Sequence, residues 1–258
     1  MTAPASDILV CADGEAVSRA AADLFQRACR DAVEARGLFS VALAGGSTPR
    51  GLYSLLATDP PLRDSIPWDR VEFFWGDERH VPPDHRDSNY RMAHEAMLSR
   101  VPVRPERVHR VPSEQPDPAV AASLYEAELR RTLDADRDVP RLDLILLGLG
   151  PDGHTASLFP GTHALSERRR VYAANRVDSL ATDRITATFP LLNAARQVVF
   201  VVAGAEKAPA VRSILAPDAD TPVLPARLVR PEGGTLHWVV DRAAARQLTD
   251  AGTRVGGE

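Results

Sequence analysis

Two side chains stand out for where they fall in the chain. His154 follows the glycines of LDLILLGLGPDGHTASLFPG (142–161), and Lys207 sits near the start of AGAEKAPAVRSIL (203–215). A neutral imidazole placed in a crevice takes a proton from water near pH 7. An ammonium acts as a point charge on an anion such as phosphate. Lys207 is the sole lysine; every other basic Lys/Arg position is arginine. Coding bias explains the arginines, and a surface role for Lys207 is the plain alternative. Yet a cation in the first turn of a helix opposes the helix dipole. A position that keeps one there points to an anionic ligand.

Other residues carry chemistry by type and spacing. AGGSTPRGLY (44–53) follows an apolar run. Gly45 and Gly46 allow a tight turn and close backbone approach. Ser47 or Thr48 would cap the helix that follows, with Pro49 in its first turn. Such a helix start presents free N–H groups to a phosphate. WGDERHVPPDHRDSNY (75–90) places Asp77, Glu78 and Arg79 at the end of another apolar run. Asp77 and Arg79 read either as a structural ion pair or as site residues. His80, Asp84, His85 and Asp87 have metal-binding side chains, but their prolines and irregular spacing fit no standard ligand pattern. A solvated loop is the better reading of those four.

Gly148, Gly150 and Gly153 spell G-x-G-x-x-G after a predicted strand. A dinucleotide fingerprint would open a helix at the third glycine and place an acid at the end of a second strand. Here Pro151 and Asp152 intervene, a histidine follows at once, and LSERRRVY (165–172) offers no clear second strand. The glycines are better read as a turn that aims His154 into the crevice.

These residues need elements to position them. Apolar runs of strand length alternate with helix-period segments. Strands are predicted at 8–12, 39–44, 71–75, 142–147, 198–202 and 236–240. Helices are predicted at 15–36, 49–57, 89–100, 117–133 and 206–215, with a last one after the final strand. Val17, Ala21, Leu24, Phe25 and Ala28 share one face of the first helix. LDLILL, apart from its Asp143, and VVFVV are continuously apolar, as in a sheet covered on both faces. The pattern predicts one α/β domain over residues 1–258, with a mostly parallel, Rossmann-like sheet flanked by helices. In such sheets ligands sit beyond the carboxyl ends of the strands, which is where each candidate above falls.

Composition sets the bounds. With 258 residues, 44% hydrophobic and 26% charged, the chain reads as globular. A net charge of −4 argues against a nucleic-acid partner. Cys11 and Cys29 are too few for a disulfide scaffold and favour a reducing compartment. The N-terminal stretch lacks a signal-peptide pattern, and no stretch is apolar enough to span a membrane. A cytoplasmic location is expected, with no obligate protein partner evident.

ALAGGSTPRGLY, FFWGDERHVPPDHRDSNY, LDLILLGLGPDGHTASLFPG, RITATFPLLNAARQVVFVVAGAEKA and PARLVRPEGGTLHWVVDRAAA occur in this order. Together, over most of the chain, they resemble the 6-phosphogluconolactonase family. The first four also resemble glucosamine-6-phosphate deaminases. Those enzymes carry Asp-Glu-Tyr where this chain has Asp77-Glu78-Arg79, and Asn-Glu-Pro where it has TASLFPG. Both differences favour the lactonase. The resemblance implies a sugar-phosphate isomerase-like fold and a sugar-phosphate lactone substrate, with no metal or other cofactor. It implies that Gly45, Gly46, Ser47 and Thr48 cradle the 6-phosphate, with Arg79 and Lys207 as cations. It implies His154 as the general base toward C1, Asp77 as a group that orders His154 or the sugar, and Arg184 as a substrate contact. Backbone N–H groups in 148–155 are the candidate oxyanion donors. Two rival readings stand beside it. One is an isomerase or deaminase on the same scaffold. The other is a non-catalytic sugar-phosphate sensor, which usually carries a DNA-binding segment; the first predicted strand begins too early to leave room for one.

Overall fold

The computed structural model describes residues 7–135 and 138–248, and the backbone of 254–255. In chain order the regular elements are β1 (Asp7–Cys11), α1 (Gly14–Arg36), β2 (Phe39–Leu43), α2 (Ser47–Thr58), α3 (Pro60–Ser65), β3 (Val71–Trp75), β4 (Asp77–Arg79) and α4 (Asn89–Ala96). Then follow α5 (Pro118–Thr132), β5 (Leu144–Leu147), β6 (Tyr172–Val177), β7 (Thr182–Ala187), α6 (Phe189–Ala194), β8 (Gln197–Val202), α7 (Ala208–Leu215), β9 (Thr235–Asp241), α8 (Arg242–Ala245) and β10 (Arg254–Val255).

Seven strands form one parallel sheet in the order β10-β1-β9-β8-β5-β2-β3. Strands β2, β3 and β5 are buried along their whole length, which accounts for the predominance of apolar residues in them, broken only at Ser40 and Glu72. Helix α1 starts cleanly because the Asp13 carboxylate accepts from the N–H groups of Glu15 and Ala16. It stops at Gly37, whose φ of 77° few other residues adopt. The sheet runs outward from β2 to β3 at the edge, then returns through β5 and β8. The strand order therefore reverses between β2 and β5, and the crevice of such a sheet opens at that point.

A second, antiparallel sheet has the order β4-β7-β6. The sequence reading contains none of these three strands. Strand β4 is three charged or acidic residues long, and β6 and β7 mix polar with apolar positions, so neither a continuous run nor a clean alternation marks them. Gly76 joins the two sheets: its N–H donates to the Leu43 carbonyl and its carbonyl accepts from Ala187. Asp77 thus enters the second sheet directly at the crevice.

Two helix ends also differ from expectation. The predicted helix 89–100 breaks at Met97, whose φ and ψ of −139° and −59° are not helical, and resumes as a 3-10 turn at Leu98–Arg100. The predicted helix from Glu206 begins instead as a 3-10 turn, Ala205–Lys207, with α7 starting at Ala208.

Candidate active site

The loops after β2 and β5 meet at the reversal point and line a cavity of about 250 Å³. Gly45, Gly46, Ser47, Thr48, Asp77, Arg79, His154 and Lys207 all line it; Arg184 does not. Three buried tyrosines hold the strand ends that carry these loops. Tyr53 on α2 accepts from the Ala44 N–H and donates to its carbonyl. Tyr125 accepts from the Trp75 N–H, and Tyr172 donates to the Trp75 carbonyl. Burial pushes all three phenols well above their ordinary range, so they stay neutral hydrogen-bonding groups.

The α2 loop differs in one detail from the sequence reading. The capping residue is Gly46, with φ 104° and ψ 170°, rather than Ser47 or Thr48, and no side chain caps the helix. Helix α2 starts at Ser47, so the first-turn N–H groups of Ser47 and Thr48 have no acceptor within the helix. Both hydroxyls are also left out of capping. Gly45 is required for space: a Cβ there would lie 2.0 Å from Asn89 Oδ1.

The His154 turn is built by hydrogen bonds inside the glycine motif. The Gly150 N–H donates to the His154 carbonyl at 2.8 Å, and the Gly153 N–H to the Gly150 carbonyl at 3.0 Å. Gly153 has φ 78°, and a Cβ on Gly150 would come within 2.0 Å of His154 Nδ1. No helix opens after Gly153; the chain runs on through turns. Glycine here makes room for the imidazole itself. Asp152 Oδ1 lies 2.6 Å from His154 Nδ1 and also accepts from the His154 N–H. An ionised carboxylate only accepts, so Nδ1 carries the proton and Nε2 presents its lone pair. The ring stacks on Phe159 at 3.9 Å between centroids. Among the described residues Nε2 has no hydrogen-bond partner. The N–H groups of Gly150, Gly153 and His154 are all engaged, which removes them from the candidate oxyanion donors.

Asp77 does not touch His154. Its buried carboxylate accepts from Ser157 Oγ at 2.6 Å and from Asn89 Nδ2 at 3.4 Å. The group that orders His154 by contact is Asp152, because a two-residue turn brings that carboxylate back to the ring. Ser157 in turn takes a hydrogen bond from Asn175 on its carbonyl and donates its N–H to Thr186. The chain after His154 is thereby anchored to β6 and β7. Neighbouring Glu78 is buried and accepts from Ser88 Oγ and from the N–H groups of Arg79, Asn89 and Tyr90. It ties the start of α4, and with it Asn89, to β4.

Arg79 and Asp77 form no ion pair. Arg79 donates to the Asp87 carbonyl at 2.9 Å, and its buried Nε has no partner. Directly across the strand pair stands Arg184. Burial and then the charge of Arg79 hold the Arg184 guanidinium below its ordinary range. The two arginines stand side by side with no ion pair to either, although Asp77, Glu78 and Asp87 lie near enough to Arg184 to offset part of the repulsion, and an anion would relieve the rest. Lys207 lies just ahead of α7, 3.9 Å from Glu206 Oε1, a carboxylate mostly in solvent. The turn beneath Lys207 is fixed by buried Asp241, which accepts from the N–H groups of Gly204 and Ala244.

Three of the four side chains of the 80–87 loop, His80, His85 and Asp87, have partners within the protein. His80 Nε2 is 2.7 Å from the Gln115 carbonyl, and His85 Nδ1 accepts from the Asp87 N–H. Among the described residues no three His, Cys, Asp or Glu side chains are grouped to hold a metal ion. No described helix is long and apolar enough to cross a membrane.

Sequence reasoning missed Asp152, Asn89, Ser157 and Asp241. Asp152 had a local signal, since Asp often bonds the backbone two residues on; the other three act through contacts distant in sequence.

Comparison with known proteins fits this geometry. Residues 12–238 match the family model described as glucosamine-6-phosphate isomerases/6-phosphogluconolactonase. The chain is 44% identical over 241 residues to a 6-phosphogluconolactonase of Nostoc, covering 93% of this chain and 97% of that one. It is 39% identical to a human 6-phosphogluconolactonase, covering 96% of each. The solved 6-phosphogluconolactonase of Trypanosoma cruzi superposes with a TM-score of 0.84 at 31% identity, covering 96% of this chain and 98% of that one. A monomeric glucosamine-6-phosphate deaminase, 20% identical, shares the fold with a TM-score of 0.76. The chain belongs to the glucosamine-6-phosphate isomerase/6-phosphogluconolactonase family.

Proposed function

We propose that the chain hydrolyses 6-phospho-D-glucono-1,5-lactone to 6-phospho-D-gluconate, a step of the oxidative pentose phosphate pathway. The relatives named 6-phosphogluconolactonase support lactone hydrolysis as the reaction. The observation that carries the mechanism is the Asp152–His154 pair. It leaves Nε2 as a base in the same cavity as Lys207 and the start of α2.

The phosphate sits at the Gly46–Thr48 loop, where free N–H groups and the helix dipole favour a dianion. Lys207 adds an ammonium, and Arg79, backed by Arg184, adds a guanidinium. His154 Nε2 takes a proton from water as the water oxygen bonds to C1. Negative charge gathers on the carbonyl oxygen, where backbone N–H groups not engaged in the turn stabilise it. The C1–ring oxygen bond then breaks, and the imidazolium returns its proton to the leaving oxygen. Asp152 stays ionised throughout and holds the ring in one tautomer. Imidazole shuttles one proton from water to the ring oxygen, the new carboxylic acid then releases its own proton to solvent to give 6-phosphogluconate, and the small-molecule lactone is the only partner the steps require.

The test is hydrolysis of freshly prepared 6-phosphogluconolactone, read as the rate above buffer alone because the lactone opens spontaneously. Ammonia release from glucosamine 6-phosphate, with no lactone hydrolysis above buffer, would transfer the site to the deaminase chemistry.

A further inference from the structure

The end of the main sheet opposite the active site holds a second concentration of positive charge. Arg36 closes α1, Arg141 precedes β5 and Arg196 precedes β8, so all three stand at the amino ends of parallel strands. Arg36 and Arg196 meet at one carboxylate, Asp143, and Arg141 lies near enough to Arg196 to repel it. Arg36 donates to Asp143 Oδ1 at 2.7 Å, and Arg196 Nε lies 3.3 Å from the same oxygen. The other oxygen, Oδ2, already accepts from the N–H and Oγ of Ser40 at 2.9 Å each. One carboxylate thus faces two guanidiniums and forms no ion pair with the third.

The donors are far from satisfied. Arg141 gives one hydrogen bond, to the Gly233 carbonyl at 2.7 Å, and forms no ion pair among the described residues. The Arg196 guanidinium donates no hydrogen bond among the described residues, and its buried Nε is unpartnered despite the nearby carboxylate. The charges acting on Arg196 are Arg36, Arg141 and Asp143. Three cations against one anion leave a surplus of two positive charges. The side chains of Arg36 and Arg196 remain 40% exposed, so the surplus is open to solvent. A structural cluster would balance its charges; this one is poised for a ligand that brings two negative charges and several acceptor oxygens.

We propose that Arg36, Arg141 and Arg196 form a second anion site, at the opposite end of the sheet from the cavity, that takes a phosphoryl dianion. Inorganic phosphate and the phosphoryl group of a sugar phosphate share that chemistry.

The test is an amide NMR titration with inorganic phosphate at constant ionic strength, followed at Ser40, Leu142 and Gly233. Wild type should show saturable shifts at these amides. In Arg196→Gln the shifts should vanish, and in Arg141→Gln the affinity should fall about tenfold, the loss of one charge-assisted contact. Neither variant should change kcat or KM for the lactone, since neither residue lies in the cavity. Arg141→Gln guards against misfolding of the other variant, because its guanidinium touches only the Gly233 carbonyl. A parallel titration with 6-phosphogluconate separates the sources: saturable shifts at the same amides mean that phosphate esters enter, and their absence means that the site takes the free ion. Wild-type shifts that never saturate and match those from chloride would overturn the proposal. So would variants that titrate like wild type.

Discussion

Asp152 Oδ1 lies 2.6 Å from His154 Nδ1, and the two residues are separated only by Gly153 in its left-handed turn. The pairing assigns the imidazole tautomer and leaves Nε2 unprotonated, the base of the proposed mechanism. Asp152→Asn offers an amide in place of the carboxylate and no longer enforces that tautomer. The variant should fold normally and lose about 10²-fold or more in kcat with little change in KM. Steady-state kinetics on the lactone check this, and an unchanged kcat would show that the pair is only a feature of the turn.

In the proposed complex Lys207 would meet the substrate through the phosphate, far from the reacting carbon. Such an interaction is present in ground and transition states alike and acts mainly on KM. Lys207→Met should raise KM by about 10–100-fold, the loss of a charge-assisted contact of about 1.5–3 kcal/mol. With unphosphorylated gluconolactone the penalty should nearly disappear. Lys207→Arg should recover only part of the affinity, since a planar guanidinium does not replace a compact ammonium. Unchanged KM in both variants would make Lys207 an ordinary surface residue.

The arginine pair links stability to function. Arg184 is held below its ordinary range by burial and by Arg79 across the strand. Arg184→Gln removes the repulsion along with the weaker attraction to Asp77, Glu78 and Asp87, so after solvent screening the free protein should show a small rise in Tm. The same variant should bind 6-phosphogluconate more weakly. A thermal scan with and without product reads both effects, and a variant that is neither more stable nor weaker in binding would remove the pair from the site.

Glu126 fastens α5 to the second sheet. It accepts from Arg130, Arg170 and the N–H of Val171. Burial pushes its carboxyl up, but the bonds from Arg170 and Arg130 outweigh this and leave it below the ordinary carboxylate range. A lowered folded-state value means stability that is full above the unfolded value and lost as pH falls through the folded one. Glu126→Gln should cost about 1–3 kcal/mol at pH 7. The Tm curves of wild type and variant should converge below about pH 4, as wild type protonates the same group. A constant gap down to pH 2 would assign the loss to packing.

Much of this arrangement was legible in the sequence because it is local. The apolar runs of β5 and β8 announced a sheet buried on both faces. Gly45–Thr48, Asp77, Arg79, His154 and Lys207 were readable because each follows a strand of that sheet, and the structure brings them to one cavity. The second sheet was not legible. Strand β4 is three residues long, and its partner β7 lies about a hundred residues onward, so its pairing depends on Gly76 bridging to Leu43 and Ala187. Separations of 80 and 37 residues likewise hid the ties from Ser157 to Asp77 and from Asp241 to Gly204. The break at Met97 and the glycine cap of α2 are backbone choices that side-chain periodicity does not record.

The central claim is that His154 activates water against C1, and the direct measurement is lactone hydrolysis by His154→Ala. Wild type and variant are compared on fresh 6-phosphogluconolactone, each corrected for the buffer rate, with 6-phosphogluconate binding measured in parallel. The account predicts that the variant keeps its affinity for 6-phosphogluconate and loses about 10²–10⁴-fold in kcat. A variant that binds product as wild type does and retains near wild-type kcat would contradict it.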